Sequence, residues 1–265
     1  MKILVLGSRG MLGQEAVKYF SRQTDMVVIS DAVRFNYNDI ETYIEYINGF
    51  DADVIINCLG LIKQKSNQFP ELIKLNSLFP FLVARRVRAM FIHASTDCVF
   101  SGAPFKTKED CSIPDCSDDY GISKYFGELG LSNLPNAKVI RASIIGVTKN
   151  YASKGLMDWF AKTQPGETVN GFANHLWNGI TTLTWCEICH ELITGKIDLN
   201  LVQPGTSEVY SKYEMLKKFS KYIPNTAEIK EFTDEFMVDR SLTPNYFVEN
   251  LDVQLNKYFS NLELN

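Results

Sequence analysis

Glycine recurs at every third position in Gly7-Ser8-Arg9-Gly10-Met11-Leu12-Gly13, directly behind Lys2-Ile3-Leu4-Val5-Leu6. Ile3 to Leu6 is a continuous apolar run, as a strand buried on both faces of a parallel sheet requires. Past the glycines, Met11, Leu12, Ala16, Val17 and Phe20 recur at helical spacing. The unit therefore reads strand, glycine turn, helix. Glycine serves where the backbone needs positive φ or where another group must come close. At a helix start, free N–H groups and missing side chains make a seat for a pyrophosphate. Gly7, Arg9, Gly10, Met11, Leu12 and Gly13 are thus the first candidate cofactor-binding set. The spacing is GxxGxxG rather than GxGxxG, and a purely structural tight turn is the competing reading.

The same alternation continues. Strand signals fall at residues 26–29, 54–56, 90–92 and 139–140, and helix signals at 40–47, 72–87 and 119–131. This order predicts an α/β fold with a doubly wound parallel sheet and right-handed crossovers. Regularity fades after Arg141. Residues 150–182 mix a short helix at 156–161 with loops. Helices are expected at 184–193, 212–219 and 245–259, and a short strand at 199–202. The expected division is a dinucleotide-binding part, 1–146, with later returns near 170–202, and a smaller substrate-binding lobe made mainly of 147–265.

Composition narrows the function classes. The 265 residues are 45% hydrophobic and 22% charged, an ordinary globular balance. A net charge of −4 gives no electrostatic case for nucleic acid. No apolar run approaches the roughly 18 residues of a membrane span. The chain runs directly into a buried strand, which is not a signal peptide. Six cysteines without a secretion signal then predict reduced thiols and a cytoplasmic location.

Two further clusters stand where open α/β sheets bind ligands, beyond strand carboxyl ends. The first is Ala94-Ser95-Thr96-Asp97-Cys98-Val99-Phe100. The second is Tyr120-Gly121-Ile122-Ser123-Lys124, a YxxxK spacing that puts Tyr120 and Lys124 on one helix face. A free phenol has a pKa of about 10, and a fixed ammonium nearby is expected to lower it toward neutrality. With Thr96 on the same oxygen, Tyr120 and Lys124 would form a carbonyl-reduction site. Alone, YxxxK fits a solvated helix face equally well.

The motifs GSRGMLG, INCLG (residues 56–60), STDCVFSG (95–102) and YGISKYFGE (120–128) resemble those of extended short-chain dehydrogenase/reductases. Within that group the chain looks most like the dTDP-4-dehydrorhamnose reductases, well over the first 146 residues and loosely beyond, through Trp177-Asn178-Gly179-Ile180-Thr181-Thr182. The resemblance implies a Rossmann-type sheet and a nucleotide-activated 4-keto sugar as substrate. It also implies Thr96 orienting the carbonyl, Tyr120 donating the proton and Lys124 holding the nicotinamide ribose. Cys58, Leu59 and Gly60 would pass beside the cofactor, Asn76 would support the site, and Ala94, Ser95, Ala142, Ser143 and Ile144 would line the nicotinamide pocket. Lys63, Asp97, Cys98, Val99 and Trp177 join Thr96 as candidate substrate contacts. A homodimer is left open, and no metal is expected.

One departure is informative. The reductases usually carry STDYVF, and here Cys98 replaces the tyrosine. In the similar GDP-fucose synthases a cysteine at this offset is an acid/base for epimerisation, which makes a bifunctional 3,5-epimerase/4-reductase the first alternative, with His175 as the candidate partner of the thiol. A buried thiol that only packs is the plainer reading. The second alternative is a regulatory subunit without turnover, since methionine adenosyltransferase regulatory subunits resemble this group as well. For the cofactor, Asp31 suits the ribose 2′-OH of NAD, whereas Arg34 and Arg9 suit the 2′-phosphate of NADP. Two arginines favour NADP, with NAD as the other option. Cys186-Glu187-Ile188-Cys189-His190 has haem-attachment spacing but reads as a core-facing helix. Trp159, Phe160, Phe172 and Trp177 suit either a sugar-nucleotide pocket or the packing of the lobe.

Overall fold

A computed structural model describes all residues except 32, 34, 37–38, 63–67, 107, 150–154, 165, 225–226 and 264–265. The first half alternates β1 (Lys2–Leu6), α1 (Met11–Phe20), β2 (Val27–Ser30), α2 (Ile40–Asn48) and β3 (Val54–Asn57). Then come α3 (Phe69–Ile73), a π turn (Lys74–Leu78), α4 (Phe79–Arg86), β4 (Met90–Ser95), a 3-10 turn (Asp97–Val99), α5 (Asp119–Leu131) and β5 (Ala137–Arg141). The expected single helix at 72–87 is thus interrupted. Pro80 has no N–H to give the carbonyl of Asn76, and the ladder widens there.

The second half is built from shorter pieces. These are β6 (Ile144–Ile145), α6 (Leu156–Ala161), β7 (Thr168–Phe172), β8 (His175–Trp177), β9 (Ile180–Thr181) and α7 (Thr182–Ile193). They continue with β10 (Leu201–Val202), β11 (Pro204–Gly205), β12 (Tyr210–Ser211), α8 (Lys212–Phe219), β13 (Glu228–Phe232), β14 (Val238–Asp239), β15 (Tyr246–Phe247) and α9 (Leu251–Glu263). Ser211 and Glu214 form a capping box that starts α8 where sequence places it. The helix expected at 245–259 begins six residues late. Asn245 gives its side chain to the Asp110 carboxylate and the Leu201 carbonyl, which holds this stretch extended, and Asn250 accepts from the Val253 N–H at the true start.

Six strands form one sheet in the order β10-β5-β4-β3-β1-β2, with every neighbouring pair parallel. Ile3, Val5, Val54, Ile56, Ile92 and Ile140 face one layer, which packs on α1 and α7. Leu4, Leu6, Ile55, Phe91 and Val139 face the other, which packs on α2, α3, α4 and α5. A separate cluster around Met157, Phe160, Trp177, Met215, Phe219, Leu255 and Tyr258 is the core of the lobe. Among the described residues no helix is long and apolar enough to cross a membrane.

One buried ion pair joins these parts. Arg141, ending β5, donates from Nε to Glu128 Oε1 on α5 at 3.0 Å and from Nη1 to Gln203 Oε1 at 3.0 Å. Both charged residues are almost fully buried. Removing one partner of a buried pair strands the other charge, at a typical cost of about 3–5 kcal/mol. Arg141→Met should therefore lower stability in urea unfolding by about that much, and adding Glu128→Leu should recover part of the loss.

Candidate active site

The glycine loop performs three separate tasks. Gly7 turns the chain at φ +76°, and a Cβ there would come within 2.9 Å of the Leu59 nitrogen at the end of β3. Gly13 lets α1 settle on the turn, because a Cβ there would stand 2.1 Å from the Gly7 carbonyl oxygen. Gly10 caps α1 and has only that same oxygen near its missing Cβ, at 3.4 Å. Gly10 therefore leaves an open cradle over the helix N-terminus, where an anion is favoured. Leu12 points into the core, so only its backbone is available to a ligand.

Asp31 has a role that sequence did not reveal. Its carboxylate accepts the N–H groups of Gly7 (3.1 Å) and Ser8 (3.0 Å) and the hydroxyl of Tyr43 (3.1 Å). It fixes the glycine turn from behind. Arg9 is exposed in the same loop and lies close enough to act electrostatically on Tyr43. Arg34 and Lys63 fall outside the described residues.

The structure brings Thr96, Tyr120 and Lys124 together. Thr96 follows β4; its hydroxyl accepts the Cys98 N–H and donates to Asp97 Oδ1, both at 3.2 Å. The Tyr120 phenol lies near enough for the Thr96 hydroxyl to act on it. Asp118 caps α5 through the Gly121 N–H at 2.7 Å and so aims the first turn, which carries Tyr120. One turn on, Lys124 Nζ donates to the Ala94 carbonyl at 2.6 Å and lies 3.2 Å from His93 Nε2. Burial lowers its pKa to about 8, opposed by Glu128. The expected depression of the Tyr120 pKa by Lys124 is not what the geometry gives. Burial, reinforced by Cys98 and Asp97, pushes the phenol up, while Lys124 is drawn down onto the strand.

Supporting contacts lie behind this trio. Asn76, fully buried in the π turn, clamps the loop after β3 by accepting from the Leu61 N–H (2.8 Å) and donating to the Leu61 carbonyl (2.9 Å). Its amide also donates to Ser123 Oγ at 3.0 Å, tying that loop to α5. Ser95 donates to Glu128. Ser143, in the segment after β5 with Ala142 and Ile144, lies close enough to act on the Asp97 carboxyl and lower its pKa, against the larger effect of burial.

Beyond the trio lie two cations missed in the sequence. Arg240, just after β14, donates to the Phe100 carbonyl at 2.6 Å and acts electrostatically on both Asp97 and Cys98. Lys212, opening α8, is lowered by burial and by Arg240, while Asp97 opposes the shift. Its ammonium lies over the Phe172 ring at 5.9 Å. With Leu156, Trp159, Asn170, Phe172 and Leu216 it lines a cleft of about 390 Å³. Trp177 and Val99 sit instead in packed cores, 5% and 0% exposed. Burial and Asp97 push the Cys98 thiol up to about 12. His175 stacks on Phe172 at 4.5 Å, and its Nε2 lies 3.2 Å from the Asp234 carboxylate without a hydrogen bond to it. Cys186 and Cys189 are buried in α7, and no metal-holding group of His, Cys, Asp or Glu occurs among the described residues.

The family model described as RmlD substrate binding domain matches residues 1–164. The chain belongs to this family. A curated relative, a probable low-salt glycan biosynthesis reductase of Haloferax volcanii, is 29% identical over 195 residues. That match spans 66% of this chain and 64% of the relative, so the curated relative is matched over less than two thirds of its length. Among solved structures, a dTDP-4-dehydrorhamnose reductase from Clostridium acetobutylicum superposes with TM-score 0.77 at 19% identity, over 100% of this chain and 98% of that one. A dTDP-4-dehydrorhamnose reductase from Bacillus anthracis in complex with NADP does so with TM-score 0.78 at 17% identity, over 98% and 97%. These likenesses show a shared Rossmann-like α/β fold.

Gly10 and the start of α1 leave an open cradle of the size and polarity that suits a pyrophosphate. The two glycines should separate in mutants. Gly13→Ala should lower stability by about 1–3 kcal/mol in thermal or urea unfolding, because the neighbour is backbone. Gly10→Ala should stay within about 1 kcal/mol of wild type yet lose at least about tenfold in dinucleotide affinity by calorimetry.

Proposed function

We propose that the protein is an NADPH-dependent reductase of the C4 ketone in a nucleotide-activated 4-keto-6-deoxy sugar, working in cytoplasmic glycan precursor synthesis. The observation that carries this reading is the Thr96–Tyr120 hydroxyl pair beyond the carboxyl end of β4, backed by Lys124. A dihydronicotinamide held beside Tyr120 and Lys124 would supply the hydride that reduces the ketone carbon. Thr96 and Tyr120 orient the ketone oxygen, and Tyr120 gives it a proton. Burial holds the phenol protonated at neutral pH, so the donor is loaded. Lys124, one turn along the same face, suits the nicotinamide ribose. Arg240 and Lys212 suit the diphosphate of a sugar nucleotide, and Trp159 and Phe172 suit its base. The Asp31 carboxylate is engaged by three donors from the protein, and Arg9 is exposed in the loop it holds, which favours a 2′-phosphate.

The high pKa of Cys98 favours reduction without epimerisation. Turnover of dTDP-, UDP- and GDP-linked 4-keto-6-deoxy sugars with NADPH in deuterated water tests this by mass spectrometry. The expected product carries no solvent deuterium on carbon. Deuterium at C3 or C5 would make Cys98 an acid/base, and tight NADPH binding without any product would point to a regulatory protein. Tyr120→Phe should lower kcat by about 10²–10⁴. If most of the wild-type rate survived, the proton donor would lie elsewhere. Arg240→Ala should raise KM by about tenfold or more with a smaller change in kcat, as loss of a charge-assisted contact to the substrate does.

A further inference from the structure

Behind the trio lies a short buried chain of polar groups that the mechanism above does not use. Asn57 ends β3 and His93 stands opposite it on β4 in parallel register. Both are fully buried. Asn57 Nδ2 lies 2.9 Å from His93 Nδ1, and His93 Nε2 lies 3.2 Å from Lys124 Nζ. The other end of the Asn57 amide is fixed as well, since its Oδ1 accepts the Leu59 N–H at 3.2 Å. Phe91 stacks on the imidazole with an interplanar angle of 10°.

The proton inventory of this chain is over-determined. The Leu59 N–H can only donate, so Asn57 presents its NH₂ to the imidazole. That NH₂ can only donate, so Nδ1 is an acceptor. A neutral imidazole with Nδ1 bare carries its proton on Nε2. Burial and Lys124 both disfavour a charged ring. The Nε2–H then points at Lys124, where an ammonium would set donor against donor. We infer that Asn57 locks His93 in the Nε2–H tautomer, and that His93 thereby donates to Lys124 and favours its uncharged amine. Lys124 keeps the Ala94 carbonyl as its own acceptor. Glu128 acts on it from the same helix in the opposite sense. His93 is thus a positioning residue that sets the pH at which Lys124 discharges.

The consequence for turnover rests on the ketoreductase reading, but the tautomer does not. The alkaline limb of activity should follow Lys124, and a lost His93 donor should move that limb upward. Had His93 instead accepted from the ammonium, its removal would move the limb downward. The sign decides between the two.

The test is two measurements. Nitrogen-15 NMR of the three histidines in the intact protein, with His93 assigned by its loss in His93→Leu, reads the tautomer directly. An Nε2–H signal is expected, and an Nδ1–H signal would overturn the proposal. Carbon-13 NMR at lysine Cε then follows the Lys124 titration in wild type and in His93→Leu, or in His93→Phe if the leucine variant fails to fold. An upward shift of at least one pH unit in the variant is expected, and no shift or a downward one would sink the idea. Neither measurement needs a substrate, so both stand apart from the reductase assay.

Discussion

The buried Glu128–Arg141 pair pins α5, which carries Tyr120 and Lys124, to the sheet. Glu128 lies one turn beyond Lys124 on α5, and Arg141 ends β5 next to β4. Taking both charges from water is costly, and the cost is offset only by a full set of partners. Ser95 supplies one to Glu128, and Gln203 and the Asp110 carbonyl supply others to Arg141. Gln203 in turn donates to the carbonyls of Lys108 and Thr243. The network therefore runs from the Thr96 strand through α5 to the segment that follows Arg240. The hydroxyl pair and the cation wall are held in one frame by it.

Much of that frame is legible in the sequence, because it rests on local rules. Apolar runs of strand length, glycines at a strand–helix junction and a YxxxK face each state their structure within a few residues. The parallel sheet, the loop geometry and the convergence of Thr96, Tyr120 and Lys124 follow from them. What escapes is decided by distant partners. Asp31 reads as a ribose ligand, and its carboxylate also accepts from Gly7, Ser8 and Tyr43, which the chain brings in from two places. Arg240 follows a two-residue strand that exists only through its pairing with β8. Nothing in residues 238–240 marks that pairing. The capping Ser211 does signal a helix start, and Lys212 just inside it was the one local hint of a cation at that edge.

The chemistry shows the same division between residue type and environment. Cys98 stands where a reactive thiol is conceivable, but reactivity belongs to the thiolate. Burial and the Asp97 carboxylate keep the proton on sulfur, and Arg240 only partly opposes them. Tyr120 feels the same two neighbours, and for a proton donor the result is useful. One electrostatic setting thus silences the thiol and loads the phenol. The spacing of the residues cannot disclose this, because it arises from a carboxylate buried between Thr96, Ser143 and Arg240.

The placement of rigid and pliable parts has a physical logic. The sheet edge that carries the hydroxyls is built from four-to-six-residue strands buried on both faces, where any shift would disturb a packed core. The opposite wall is made from strand pairs such as β8–β14 and β8–β12, two residues each, with Trp159 and Phe172 facing a cleft. Changes there reshape the cleft without touching the core under Thr96. Loops on a fixed scaffold carry specificity for this reason. The lobe still needs an anchor. Asn178 supplies it by donating to the carbonyls of Thr206 and Leu242 and accepting the Leu242 N–H. That one buried amide ties the segments at residues 178, 206 and 242 to one another.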